Sequence, residues 1–201
     1  KVKTKKVSAG TTYKYKMPEF IRFESEQLND LKELVIKANF VVNDKGSVLI
    51  PDELKKVINF DGAKYKIGIG GLHSQEKKQA IVCGENHIFG EFDYASMYPF
   101  IILNQSLYPK HLGTKFLTMY KNIVERRIKA KKSGDKDMAN SLKLVINSSF
   151  GLFGNKYSFL YSPDLLIQTT ITGQLCLLML IEKVVKTGAK VVSVNTDGIN
   201  I

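Results

Sequence analysis

The chain has little cysteine, and that narrows its chemistry. Only Cys83 and Cys176 occur among 201 residues, far apart and in no C-x-x-C pattern. This argues against a zinc site and a disulfide framework and favours a reducing compartment, although two thiols could still pair in a secreted protein. The basic stretch 1–15 carries no apolar core, so it does not read as a signal peptide. No internal repeat or low-complexity segment is visible. Acidic residues are also scarce, 19 against 30 Lys and Arg, for a net charge of +11. Such an excess favours a polyanionic partner, nucleic acid or an anionic surface, beside the plainer reading of a basic protein with neither. The longest apolar run, 165–185, is interrupted by Gln168, Thr169, Thr170, Thr172, Gln174 and Glu182. It reads as a buried core helix rather than a membrane span.

What is present suits one or two small domains with a buried core: 44% of residues are hydrophobic and 24% charged. Apolar residues at Leu28, Leu31, Leu34 and Val35 have a helical period within 24–38. The runs 40–42 and 48–50 flank Asn43-Asp44-Lys45-Gly46 and predict a hairpin. Pro51 opens a short helix to Val57. The stretch 66–71 reads as a glycine-rich strand or turn, and 88–94 as a strand running into a turn at Tyr98-Pro99. A basic helix over 114–132, a break at Ser133-Gly134-Asp135 and a second helix over 137–150 predict a helical hairpin. A long helix over 165–186 follows. The runs 191–194 and 199–201 around Asn195-Thr196-Asp197-Gly198 predict a last hairpin. Strands flanked by helices, with a helical insertion in mid-chain, predict an α+β layer fold. The chain stops inside its last strand and is expected to be a piece of a longer protein.

Two constellations could carry chemistry. Asp93 ends a strand, and Asp197 sits at a hairpin tip. Two carboxylates on neighbouring strand ends can share divalent cations, the arrangement phosphoryl transfer uses to clamp attacking and leaving oxygens. The plainer reading makes Asp93 a turn residue and Asp197-Gly198 an ordinary hairpin turn. The second constellation is the helical hairpin, with ten Lys or Arg against three acids over 110–143. Arg127 and Lys131 share a helix face, as do Lys143 and Asn147, with Phe150-Gly151 one turn on. Such faces could converge on a triphosphate, where Arg supplies a fork and Lys a point charge. The plainer reading is a solvated charged helix, to which Lys129, Lys132 and Lys136 are assigned.

These strings resemble the family B DNA polymerases. Asp93-Tyr94-Ala95-Ser96-Met97-Tyr98-Pro99 is similar to motif A, D-x-x-S-L-Y-P. Lys143-Leu144-Val145-Ile146-Asn147-Ser148-Ser149-Phe150-Gly151 is similar to motif B, K-x-x-x-N-S-x-Y-G. Asn195-Thr196-Asp197-Gly198 is similar to motif C, D-T-D-S. Arg127 and Lys131 resemble the basic pair of the first fingers helix. Gly70-Gly71 resembles the glycine pair before motif A, and Ile171-Thr172-Gly173 the start of the palm helix after motif B. The resemblance covers about 66–201. It departs from the family pattern at Asn195, Gly198, Met97 and Phe150, and at Gly68, where a Tyr is usual.

The resemblance implies a palm of antiparallel sheet and packed helices with an inserted helical-hairpin fingers subdomain. The expected division is 1–65 unrecognised, 66–113 palm, 114–160 fingers and 161–201 palm again. It implies Asp93 and Asp197 as catalytic and metal-binding carboxylates, joined by the Tyr94 backbone, for two Mg²⁺ that Mn²⁺ can replace. Ser96, Met97, Tyr98, Arg127, Lys131, Lys143, Asn147 and Phe150 would bind the nucleotide, with Tyr98 excluding a 2′-hydroxyl. Gly70, Gly71 and Gly151 would contact DNA. Expected partners are primer–template DNA, dNTP and replication proteins, with no membrane, in the cytoplasm of a bacterial or phage-infected cell. The rival readings are a primase or reverse transcriptase and a silent nucleic-acid-binding remnant. The isolated chain is expected to have little polymerase activity, since nothing after motif C could clamp a duplex.

Overall fold

Asp61-Gly62 illustrates how local sequence builds this fold. Both residues have positive φ, 48° and 74°, the backbone a tight two-residue hairpin demands and Asp-Gly supplies at low cost. The computed structural model describes residues 4–78 and 80–201. These residues form a mixed α+β fold with five α-helices and two antiparallel sheets among them. In chain order come β1 (Thr12–Tyr13), α1 (Glu26–Lys37), β2 (Phe40–Val42) and β3 (Val48–Leu49). A short 3₁₀ helix (Asp52–Leu54) precedes β4 (Ile58–Phe60), β5 (Ala63–Ile67), β6 (Leu72–Ser74) and β7 (Glu91–Asp93). Then follow α2 (Met97–Asn104), α3 (Lys115–Lys132), α4 (Lys136–Leu152), α5 (Pro163–Lys186), β8 (Ser193–Thr196) and β9 (Gly198–Asn200).

The chain divides into two compact units. The first holds Ser96–Thr169, Val41–Leu49 and the arm up to Tyr13. Its core is the α3–α4 hairpin. Helix α3 ends at Gly134, φ 77°, where the Asp135 amide reaches the Ala130 carbonyl at 2.9 Å and the Gly134 amide the Lys131 carbonyl at 3.4 Å. This paired closure satisfies carbonyls that the helix end leaves open. The Asp135 carboxylate then accepts from the Met138 amide at 3.0 Å and caps α4, which contributes about 1 kcal/mol. The small sheet, β1-β2-β3, has a turn in which Asn43 Oδ1 accepts from the Lys45 and Ser47 amides, both at 2.9 Å.

The second unit holds Lys14–Phe40, Ile50–Ala95 and Thr170–Ile201. Its six-stranded sheet runs β4-β5-β6-β8-β9-β7. Alternation along the strands gives it one apolar face: Tyr65, Ile67, Leu72, Val194 and Ile199 are all buried. The other face is polar and holds the site described below. Helix α5 starts with Pro163 at its first turn, where a missing N–H costs nothing. It is long and apolar enough to cross a membrane, but 72% of its apolar window is buried inside the structure. Its polar residues are used internally. Thr172 Oγ1 lies 2.8 Å from the Tyr15 hydroxyl. The Glu182 carboxylate accepts from the Glu24 and Ser25 amides at 2.7–3.1 Å, at the start of α1.

Three local expectations are corrected. The turn expected at Tyr98-Pro99 is the first turn of α2. Proline is tolerated there because first-turn amides have no partner within a helix, and Phe100, Ile101, Ile102 and Leu103 continue the helix behind it. The strand expected over 88–94 is only Glu91–Asp93; Ile88 and Phe89 lie outside it, 94% and 52% exposed. The helix expected from Pro51 to Val57 is one 3₁₀ turn.

Candidate functional site

The polar face of the six-stranded sheet carries a row of residues that the register fixes. Lys66 lies opposite His73, His73 opposite Asn195, Asn195 opposite Gly198, and Gly198 opposite Asp93. Cross-strand partners share a face, so five strands place these five residues in line. All but the half-buried Gly198 are exposed. At one end sits Asp93, the last residue of β7. Asp197 is the residue before β9, the neighbouring strand. The backbone ties the two regions together: the Tyr94 amide donates to the Asp197 carbonyl at 2.9 Å.

The turn that presents Asp197 is strained. The Asp197 amide reaches back to the Asn195 carbonyl at 2.7 Å, a three-residue turn centred on Thr196 at φ 59°. A β-branched residue rarely takes that conformation, and such outliers persist only where surrounding structure holds them. Two glycines admit close approach around it. A Cβ on Gly71 would meet Thr196 Cγ2 at 2.9 Å and Thr196 Cα and Oγ1 at 3.0 Å, so only glycine lets β6 start this close to the turn. A Cβ on Gly198 would fall on Asp93 Oδ1, so the carboxylate lies over β9 where a side chain would otherwise stand. Gly68 is held from α5, its amide donating to Gln174 Oε1 at 3.1 Å and its carbonyl accepting from Gln174 Nε2 at 2.8 Å.

Asp93 and Asp197 are both exposed, and Asp93 takes part in no ion pair among the described residues. Among those residues no three His, Cys, Asp or Glu side chains cluster, and Asp93 and Asp197 are the two carboxylates at this end of the row. Hard oxygens, few in number and open to solvent, suit Mg²⁺, which keeps waters and takes the rest of its shell from substrate phosphates. Nearby, the Tyr94 hydroxyl reaches the Cys176 carbonyl at 3.4 Å, and burial raises its pKa. Burial pushes the Cys176 thiol up to about 11.

In the first unit four of the residues named from the sequence meet in two pairs. Ser96 begins α2 in the left-handed region, φ 57° and ψ 48°. Its hydroxyl accepts from Arg127 Nη1 at 2.5 Å, while the buried Arg127 Nε has no hydrogen-bond partner among the described residues. The Tyr98 and Phe150 rings stack, centroids 4.3 Å apart and planes at 21°. Lys131, Lys143 and Asn147 are exposed. Met97 is buried at 6% exposure, so only its backbone could meet a ligand. Gly70 and Gly151 have open space where a Cβ would go, so packing does not require glycine at either position.

His73 and Lys66 were missed in the sequence reading. The signal was there: period-two alternation from buried Leu72 turns His73 outward, two residues after Gly71. Neither side chain has a hydrogen bond or ion pair among the described residues. In comparisons with known proteins, no family model matches the chain and no curated protein does.

Proposed function

We propose that the chain is the palm and fingers part of a template-directed DNA polymerase of the family B type, acting on primer–template DNA and dNTP. The observation that carries this reading is the register placing Asp93 beside the Asp197 turn on an open polar face. The order of the three motif-like strings and the net charge of +11 support it. Asp93 and Asp197, with the Tyr94 backbone, would hold two Mg²⁺, or Mn²⁺ in their place. Bound there, the ions would supply Lewis acidity to the primer 3′-oxygen and to the leaving oxygen. The reaction forms a bond from that 3′-oxygen to the α-phosphorus and breaks the bond to the bridging oxygen, releasing pyrophosphate. Arg127, Lys131, Lys143 and Asn147 would bind the triphosphate, with Arg127 oriented by Ser96. Tyr98, braced by Phe150, would face the sugar. Of the glycines read as DNA contacts, Gly71 has a packing role that accounts for it without DNA.

Asn195 favours a second reading, a nucleic-acid-binding remnant without catalysis, because it removes one charge from the motif C string. Mn²⁺ binding separates the two. Electron paramagnetic resonance of the isolated chain should show saturable Mn²⁺ binding that Asp93→Ala abolishes while circular dichroism stays unchanged. A folded chain that binds no Mn²⁺, or binds it equally well without Asp93, rejects the polymerase reading.

A further inference from the structure

The polar face of the six-stranded sheet is divided by charge. On β4, β5 and β6 it carries Asn59, Lys64, Lys66 and His73, all exposed, and these three strands contain no Asp or Glu. At the far edge, β7 contributes Glu91 and Asp93. Lys64 and Lys66 are two apart on β5 and share a side, and the register sets His73 opposite Lys66. The side chains of Lys64, Lys66 and His73 make no hydrogen bond or ion pair among the described residues. Gln174 clamps Gly68 in the turn between β5 and β6, so the line is held from α5. Free donors lined up on rigid strands suit a ligand with several negative groups.

Continuity with the carboxylate site identifies that ligand. Strand β6 borders the Asp197 turn directly, with Leu72 opposite Thr196 and His73 opposite Asn195. Neighbouring strands stand about 4.8 Å apart, so His73 and Lys66 follow the turn at roughly one and two strand spacings. A nucleic-acid strand covers that span in about three nucleotides, at about 3.4 Å of axis each. Its phosphates accept from Lys as an ammonium and from His through a ring N–H present in either protonation state. Asn59, Lys64, Lys66 and His73 include no large apolar group to anchor an acidic protein segment. We propose that Lys66 and His73, flanked by Lys64, hold successive phosphates of a nucleic-acid strand that crosses β5, β6 and β8 to the Asp93–Asp197 site. The inference rests on the proposed function for the identity of the polyanion.

The test is fluorescence anisotropy of the whole chain with a fluorescein-labelled oligo-dT of about twelve nucleotides, over a series of salt concentrations. Lys66→Gln combined with His73→Gln should weaken binding at least about tenfold in low salt and make the slope of log K against log[salt] shallower by about one. Lys66→Arg combined with His73→Lys keeps the donors and should bind as the parent does. Lys37→Gln combined with Lys183→Gln, at exposed positions on α1 and α5, removes at least as much charge and should weaken binding less than about threefold. Circular dichroism checks that all three variants fold. The proposal is overturned if the glutamine pair at 66 and 73 binds oligo-dT as tightly as the parent, or if the control pair loses as much. It is equally overturned if inorganic pyrophosphate, at matched ionic strength, displaces oligo-dT from the parent and not from the glutamine pair, since the two residues then hold a free phosphate. Mn²⁺ titration of the parent keeps the two readings apart. A chain that binds no Mn²⁺ rejects the polymerase reading, whereas the phosphate line stands or falls on oligo-dT alone.

Discussion

The two units hold their candidate functional groups by opposite means. In the second unit the carboxylates sit on short side chains, fixed by strand register, a strained turn and glycines that admit close backbone approach. In the first unit the candidate cations ride at the ends of long side chains on a helical hairpin; Arg127 is tied down through Ser96, whereas Lys131 and Lys143 make no ion pair among the described residues. Metal ions demand oxygens at fixed distances, whereas a triphosphate can be met by point charges that adjust as it arrives. A rigid carboxylate site and a pliant cation site would suit those two tasks under the proposed function.

The sharpest way to break this comparison is to remove a carboxylate. Asp93→Ala should lower primer extension by roughly three orders of magnitude or more if it holds a metal clamp, equivalent to about 4 kcal/mol of transition-state stabilisation. Stability should barely change, because Asp93 is exposed. Lys131→Ala on the pliant side should cost far less. Single-turnover kinetics, in whichever form of the protein extends a primer, give both numbers. Comparable losses would erase the distinction.

Next comes the ring pair of the first unit. Tyr98→Ala should raise ribonucleotide incorporation relative to deoxyribonucleotide by roughly two orders of magnitude if the ring excludes a 2′-hydroxyl. Tyr98→Phe should change it little, since the stack on Phe150 needs only the ring. An unchanged ratio in Tyr98→Ala would leave Tyr98 as a packing residue.

The glycines test rigidity directly. Gly71→Ala forces Thr196 to move, since the added Cβ would lie 3.0 Å from its Cα. Such overpacking costs about 1–3 kcal/mol and should weaken Mn²⁺ binding through the Asp197 turn. Gly70→Ala, with open space at that position, should stay within about 0.5 kcal/mol of the parent. Urea denaturation and Mn²⁺ titration of the two variants together measure the difference. Equal behaviour would mean that the turn is not held by close approach.

Much of this was legible before the structure. The helical hairpin was readable from a basic helical run, a second helical run and the Ser133-Gly134-Asp135 break between them, and its helices fall within two residues of the limits expected. The strand pairing of Asp197 with its neighbours was half legible. A turn was evident, but no local pattern says that β9 pairs with β7, because that contact joins segments about a hundred residues apart. Asp61-Gly62 is a miss of the other kind, a strong hairpin signal in the sequence that the expectations did not include. Helix α2 was hidden by its proline, which reads as a breaker unless its place in the first turn is known. Glu182 looked like one acid interrupting an apolar run. Only the fold shows that it faces the start of α1.

Glu182 gives the smallest effect and tests whether the second unit depends on ionised groups as well as packing. Its side chain is almost fully buried, at 4% exposure. Burial opposes its charge, but hydrogen bonds from Ser25 and the Glu24 amide and the nearby Lys186 ammonium outweigh it and hold the carboxyl below the usual glutamate range. The folded state therefore binds this proton less readily than the unfolded one. The resulting stabilisation is complete above the unfolded glutamate pKa and disappears as pH falls through the lower folded value. Acidification should thus loosen the start of α1. Glu182→Gln should imitate acid at neutral pH, costing about 1–3 kcal/mol as amides at the helix start lose a charged acceptor, and should flatten the pH dependence. Hydrogen exchange at pH 7 and pH 4 in both proteins reads this out. Equal protection of residues 24–31 in parent and variant at pH 7 would show that packing alone holds α1.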